Sequence, residues 1–395
     1  MMKKVFICVF SAILVLGLFP FSSQANKENI EDMVESHSAI LLDAETGQIL
    51  YEKNSKEKLP PASITKIATA IYAIEKGNLD DIVTVSENAR NADGTRVYLE
   101  VGEKVSLNKL IQGLLLNSGN DAGVAIAEHM SGSVSSFVEE FNEYLATEVG
   151  VEHTHFMNPH GLFDPEHVTT AEDMAKITAY AMQNETFREI FNTIELKWSG
   201  EGWNTTIINH HIMVRDQSYE GITGGKNGFV DESGFTLVTT ASRGELSLIA
   251  VTLNAKTSNL AYNDAAALFD YGFNHFETDT IQSNEKFTSS DQTVFITTEK
   301  LSYVKKIDET VTKDILSTGE LVVKGQENQI IQSFKLDKVK SEEEDKQMKS
   351  EVVSSPEINE ENTSVGKNHL TYIVPFSLVI ASIISIFFYF QVRRV

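Results

Sequence analysis

The chain has 395 residues, 42% hydrophobic and 23% charged, enough apolar material for two ordinary domains with buried cores. Its 33 basic and 56 acidic residues give a net charge of -23, which repels a phosphate backbone and argues against nucleic acid as a partner. The single cysteine, Cys8, excludes an internal disulfide framework and any multi-thiolate metal centre.

The chain opens with Lys3 and Lys4, an apolar run over 5–19 and the small residues Ser23 and Ala25. Residues 1–25 therefore read as a secretory signal cleaved after Ala25; as an uncleaved anchor the apolar run is short for a bilayer. Strand-like runs over 38–43 and 48–53 flank Glu45-Thr46-Gly47 and predict a hairpin. After Pro60-Pro61, the residues Ile64, Ile67, Ala68, Ile71 and Ile74 recur at helical spacing, with Gly77 as a stop. Ser106 is placed to cap a helix through Leu116, a further helix is predicted over 121–129, and 137–149 is amphipathic. Thr170 with Asp173 resembles a capping box opening a helix through Met182. The runs 234–241 and 245–254 predict a hairpin of two long strands, followed by a helix over 261–273. Strands at both ends with helices between predict an α+β domain over 30–275, an antiparallel sheet packed by a helical cluster.

Beyond it, short runs over 292–298, 302–307 and 321–324 predict a small β-rich domain over 277–340. Residues 341–370 are rich in glutamate, with no aromatic residue before Asn362, and read as a self-repelling linker. Residues 372 to 390 carry no charge, and Arg393 and Arg394 follow. This predicts a transmembrane helix over 371–391 with a cytoplasmic tail, the rest of the chain being exported and tethered outside the cytoplasm.

Three small motifs lie at transitions between these elements. Ser63-Ile64-Thr65-Lys66 starts the first core helix, where positions i and i+3 share a face and an amine of lowered pKa could take the serine proton. Taken alone, the spacing is a weak signal and reads first as a capping serine with a solvated lysine. Ser118-Gly119-Asn120 falls between two helices, and alone is an interhelix turn. Lys226-Asn227-Gly228 leads into the long hairpin, either as a glycine-rich start of a strand or as an edge that receives an extended peptide.

Together and in this order, the three resemble the S-x-x-K, S-x-N and K-T-G set of penicillin-binding proteins and β-lactamases. With the flanks Pro61-Ala62-Ser63, Leu116 to Ala122, Thr154-His155-Phe156, Pro159-His160-Gly161-Leu162 and Gly225 to Leu237, the chain is similar to the low-molecular-weight D-alanyl-D-alanine carboxypeptidases, serine peptidases of family S11. The resemblance covers about 35–275 and implies the transpeptidase-like fold of that family. It implies an acyl-enzyme reaction that removes the terminal D-alanine of peptidoglycan stem peptides, inhibited by β-lactams. Carried over by residue, Ser63 is the nucleophile, Lys66 its base and Ser118 a proton relay that orients Lys66. Asn120 holds the substrate amide and Lys226 faces the terminal carboxylate. Gly228 gives clearance, and the N–H groups of Ser63 and Phe229 form the oxyanion hole.

Asn227 stands where the family has threonine, so a catalytically weak, wall-binding protein on the same scaffold is the alternative. Lys256 lies where the family often has arginine. The glutamate loop of class A β-lactamases is not recognisable. His153, His155, His160, His167, His210 and His211 form no H-E-x-x-H helix and read as structural or surface residues, so neither metal nor cofactor is expected. Trp198 and Trp203, around Gly200 and Gly202, read as packing or as the rim of a substrate groove.

Overall fold

The computed structural model describes residues 30–339, which form one compact unit. The signal, the acidic linker and the apolar C-terminal segment read from the sequence lie outside these residues. Among the described residues no helix is long and apolar enough to cross a membrane.

A five-stranded antiparallel sheet organises the molecule. Its strands are β1 (Ser38–Asp43), β2 (Ile49–Lys53), β3 (Ile222–Val230), β4 (Gly234–Arg243) and β5 (Leu246–Ala255), in the order β2-β1-β5-β4-β3. Side chains alternate across a strand, so β1 serves two cores at once. Ile40 and Leu42 face the helical cluster, whereas Ala39 and Leu41 face the long helix Ser258–His275 on the other side. Burial on both faces explains why β1 and β5 read as nearly unbroken apolar runs, while β4 mixes apolar residues with buried threonines.

The helical cluster contains α1 (Thr65–Lys76), α2 (Leu107–Leu116), α3 (Asn120–Ser131), α4 (Val134–Tyr144) and α5 (Ala171–Ala181). Ser106 Oγ accepts from Lys109 N and Thr170 Oγ1 from Asp173 N, so both predicted caps form. The amphipathic stretch begins earlier than its apolar pattern, because Ser133 caps α4, and ends in a π-helical turn over Leu145–Val149. Several elements were not read from the sequence, among them helix Glu185–Phe191 and the pairing of Ile82–Thr84 with Lys104–Ser106, and two of them matter for the site. One is the hairpin pairing Glu195–Ser199 with Asn204–Ile208; the other is the full length of β3, whose glycines disguise a strand.

Past the long helix the chain continues directly into strand Phe276–Ile281, which pairs with Leu301–Lys306. Two three-stranded sheets complete this segment. They close on a small core of Ile281, Phe295, Tyr303, Leu321, Val323 and Leu336.

Candidate active site

Ser63 sits in a single 3₁₀ turn, Ala62–Ile64, that runs straight into α1. One turn on, the Lys66 Nζ lies 2.8 Å from Ser63 Oγ and donates to the His160 carbonyl at 2.6 Å. Lys66 is fully buried. Burial, and then the positive charge of Lys226, hold its pKa well below the usual lysine value, with Asp121 partly opposing them. A neutral amine beside a serine hydroxyl is what a general base requires.

The backbone around Ser63 is tightly bound. Ala62 has φ +50°, a left-handed conformation unusual for alanine. Its carbonyl accepts from Thr65 Oγ1, and the Pro61 carbonyl accepts from Thr236 Oγ1 of β4 at 2.8 Å. Gly161 (φ +91°) lies so close that a Cβ there would overlap the Ala62 carbonyl. Gly228 approaches from β3: a Cβ on it would sit 2.6 Å from Ser63 N. The edge strand thus runs across the Ser63 N–H with room only for hydrogen.

Ser118 is buried with φ +61°, between α2 and α3. The Asn120 Nδ2 donates to the Asp93 carbonyl at 2.6 Å, leaving Oδ1 as the acceptor available to a ligand N–H. Asn117 Nδ2 donates to the Arg96 carbonyl, and Asn120 N to that of Thr95. The 93–96 loop is therefore laced directly over the Ser118 turn. Asp121, fully buried, accepts from the N–H groups of Val97 and Leu99 and fixes the rest of that loop.

Lys226 is buried on β3, donates to the Asn227 carbonyl at 2.8 Å and has its pKa lowered to about 7 by burial. Asn227 is half-buried, and its Oδ1 is enclosed with no hydrogen-bond partner. Phe229 is 51% exposed, its ring 4.6 Å from that of Phe235. Ser63, Lys66, Gly228 and the Lys226 charge thus converge. The Ser118–Asn120 turn joins them through Asp121, whose charge acts on Lys66, and through α3, where Gly123 packs beside Pro159 and His160.

Several supporting groups were not assigned from the sequence. The His160 carbonyl, Gly161, Asp121 and Thr236 all act here, yet a backbone acceptor or an excluded Cβ leaves little compositional mark. The histidines are dispersed. Buried His167 bonds Thr65 Oγ1 at 2.9 Å, buried His211 bonds Thr239 Oγ1 at 2.9 Å, and His155 contacts the Glu166 carbonyl near the surface. Burial pushes both His167 and His211 down to about 3, so they remain neutral packing groups at ordinary pH. Trp198 is buried against Gly113, whereas Trp203 meets the exposed Tyr98 edge-on at 5.2 Å.

Comparison with known proteins agrees with this geometry. Residues 23–257 match the family model described as D-alanyl-D-alanine carboxypeptidase. The chain is 33% identical over 286 residues to D-alanyl-D-alanine carboxypeptidase DacF of Bacillus subtilis, covering 70% of this chain and 72% of that one. It is 34% identical over 292 residues to D-alanyl-D-alanine carboxypeptidase DacC of Escherichia coli, covering 67% and 68% respectively. Among solved structures, penicillin binding protein 5 from Haemophilus influenzae superimposes with a TM-score of 0.69 at 25% identity, covering 78% of this chain and 97% of that one.

Proposed function

The chain belongs to the D-alanyl-D-alanine carboxypeptidase family of serine peptidases, and from that premise we propose how its residues divide the reaction. The activity is serine-type carboxypeptidase chemistry on peptides ending in D-Ala-D-Ala, with β-lactams as acylating inhibitors. Ser63 Oγ attacks the penultimate D-alanine carbonyl as Lys66 Nζ takes its proton. The N–H groups of Ser63 and Phe229 meet the developing oxyanion. Ser118 passes the proton on to the departing D-alanine amine, and water then hydrolyses the acyl-serine. Asn120 Oδ1 accepts from an amide N–H of the acyl half, while Lys226 faces the terminal carboxylate, whose charge favours the ammonium form.

The observation that carries this assignment is the buried Lys66 Nζ at 2.8 Å from Ser63 Oγ, with its pKa held down. The test is intact mass after brief exposure to benzylpenicillin. One adduct per wild-type molecule and none on Ser63→Ala is the expected result; an adduct on both would remove Ser63 from the role.

Asn227 Oδ1, enclosed without a donor, favours a second reading in which carboxylate recognition is weakened and the protein binds wall peptide more than it cleaves it. A penicillin adduct accompanied by negligible turnover of a D-Ala-D-Ala peptide would select that reading. We further read the export signal over 1–25, the β-rich domain over 277–340, the linker over 341–370 and the membrane helix over 371–391 as the arrangement that presents domain 30–275 to the wall.

A further inference from the structure

Tyr98 is held in a way that packing alone does not require. Its φ is +57°, a left-handed conformation costly for a bulky side chain, yet the residue is 47% exposed and lies outside the buried core. The strain is enforced from both sides. Asp121 Oδ1 accepts from Val97 N at 3.0 Å and Oδ2 from Leu99 N at 3.1 Å, so one buried carboxylate clamps the residues flanking Tyr98. The tip of the 195–208 hairpin closes the third side, where a Cβ on Gly202 would collide with the Tyr98 carbonyl. The result is a fixed aromatic surface, with Trp203 edge-on behind Tyr98 at 5.2 Å.

A cation lies on that surface. The Arg96 guanidinium carbon is 5.5 Å from the Tyr98 ring centre. Its sole hydrogen bond among the described residues is a long one, 3.4 Å, from Nη1 to the Arg90 carbonyl, and no carboxylate is paired with it. The nearby Glu100 pairs with Arg90 instead, at 3.3 Å. In a chain of net charge -23, an arginine left without an acid partner has donors available for a ligand. Its position is informative, because its own carbonyl is bonded to Asn117 and the Asp93 carbonyl to Asn120. An acyl half held by Asn120 Oδ1 meets this loop next.

We propose that Arg96, laid on Tyr98 and backed by Trp203, is a subsite for a free carboxylate on the substrate residue preceding the D-Ala-D-Ala pair. This rests on the carboxypeptidase reading for the direction of the acyl half. Guanidinium recognises carboxylate by paired N–H donors, and the aromatic face under it fixes the plane of the fork.

The test uses two peptides ending in D-Ala-D-Ala, identical except that the preceding residue carries a free carboxylate in one and its amide in the other. Binding to the Ser63→Ala protein is measured by calorimetry, so the result does not depend on turnover. The acid is expected to bind about tenfold more tightly than the amide, and Arg96→Gln to bring that ratio to about one. Because the readout is a ratio, general damage to the protein does not reproduce it. Tyr98→Gly relieves the backbone strain and is expected to keep or raise Tm while shrinking the ratio; a loss of Tm with the ratio intact would assign Tyr98 to packing. Equal binding of the two peptides to the Ser63→Ala protein overturns the subsite. Failure of the wild type to cleave either peptide overturns the carboxypeptidase reading instead, which keeps the two outcomes separate.

Discussion

The surroundings of Ser63 and the β-rich segment beyond residue 276 handle the same two liabilities in opposite ways. Left-handed backbone occurs in both. In the β-rich segment it falls on Asn284, Asp308 and Asn328, types that tolerate it, and on Gln292 and Glu327. Around Ser63 it falls on Ala62, Tyr98 and Ser118, none of which has that tolerance. Lysines divide in the same manner. Lys305, itself largely covered, pairs with Glu277 at 2.5 Å, and Lys324 pairs with Asp314 at 2.9 Å, so both have acid partners that reach solvent. Lys66 and Lys226 are buried, and their partners are a hydroxyl and carbonyls instead of acids. The β-rich segment pairs its charges, whereas the surroundings of Ser63 hold strained and desolvated groups in place, as functional sites commonly do.

The strongest way to break this contrast is Lys66→Met, expected to lower the benzylpenicillin acylation rate by about 10³-fold while raising Tm, since a desolvated amine is replaced by an apolar chain. Rapid-quench mass spectrometry and thermal melting read the two effects. Gly228→Ala comes next. A methyl 2.6 Å from Ser63 N would obstruct the proposed oxyanion donor, and acylation should fall about 10²-fold.

The pH response sharpens the comparison further. Acylation should rise as pH increases through the lowered Lys66 pKa, and Lys226→Gln, by removing a neighbouring positive charge, should move that rise to higher pH. Stability follows the same sign. Lys226 has a folded pKa of about 7 against 10.5 when unfolded, so between these values the unfolded chain holds more protons and stability increases with pH. Lys226→Met should flatten the slope of Tm between pH 7 and 10. Conversely, Lys324→Ala in the β-rich segment should change stability by less than about 1 kcal/mol, as exposed pairs do. Asn227→Thr is expected to change substrate binding by about 1–3 kcal/mol, read as a KM shift on a D-Ala-D-Ala peptide. Identical kinetics would show that the unpaired Oδ1 has no bearing on the substrate.

How much of this was legible depends on what kind of mark a feature leaves. The strands β1 and β5 were visible because double-sided burial demands nearly unbroken apolar runs, β4 through its β-branched residues, and α2 and α5 because Ser106 and Thr170 cap them. The i, i+3 spacing of Ser63 and Lys66 was weak alone and gained weight only with Ser118-Gly119-Asn120 and Lys226-Asn227-Gly228 following in order. By contrast the extent of β3 was obscured: residues 226–228 read only as a glycine-rich start of a strand, because Gly224, Gly225 and Gly228 carry no side chain to show an alternating pattern. There, a Cβ would strike Phe191, His211 and the Ser63 amide, respectively. The His160 carbonyl could not be read at all, because any residue offers the same acceptor. Tyr98 was hidden for a related reason: its conformation is imposed by Asp121, more than twenty residues away along the chain.

The strand order carries a consequence for how the protein comes into being. β1 lies between β2 and β5, and its residues 38–43 pair with 248–253. The central ladder therefore waits for the last strand of the sheet to emerge from the ribosome, and pairing across such a separation is slow to nucleate. Until then Gly228 has no fixed edge from which to face Ser63. A truncated or stalled chain ending before residue 246 would contain Ser63, Lys66, Ser118 and Lys226, yet should remain inert toward penicillin.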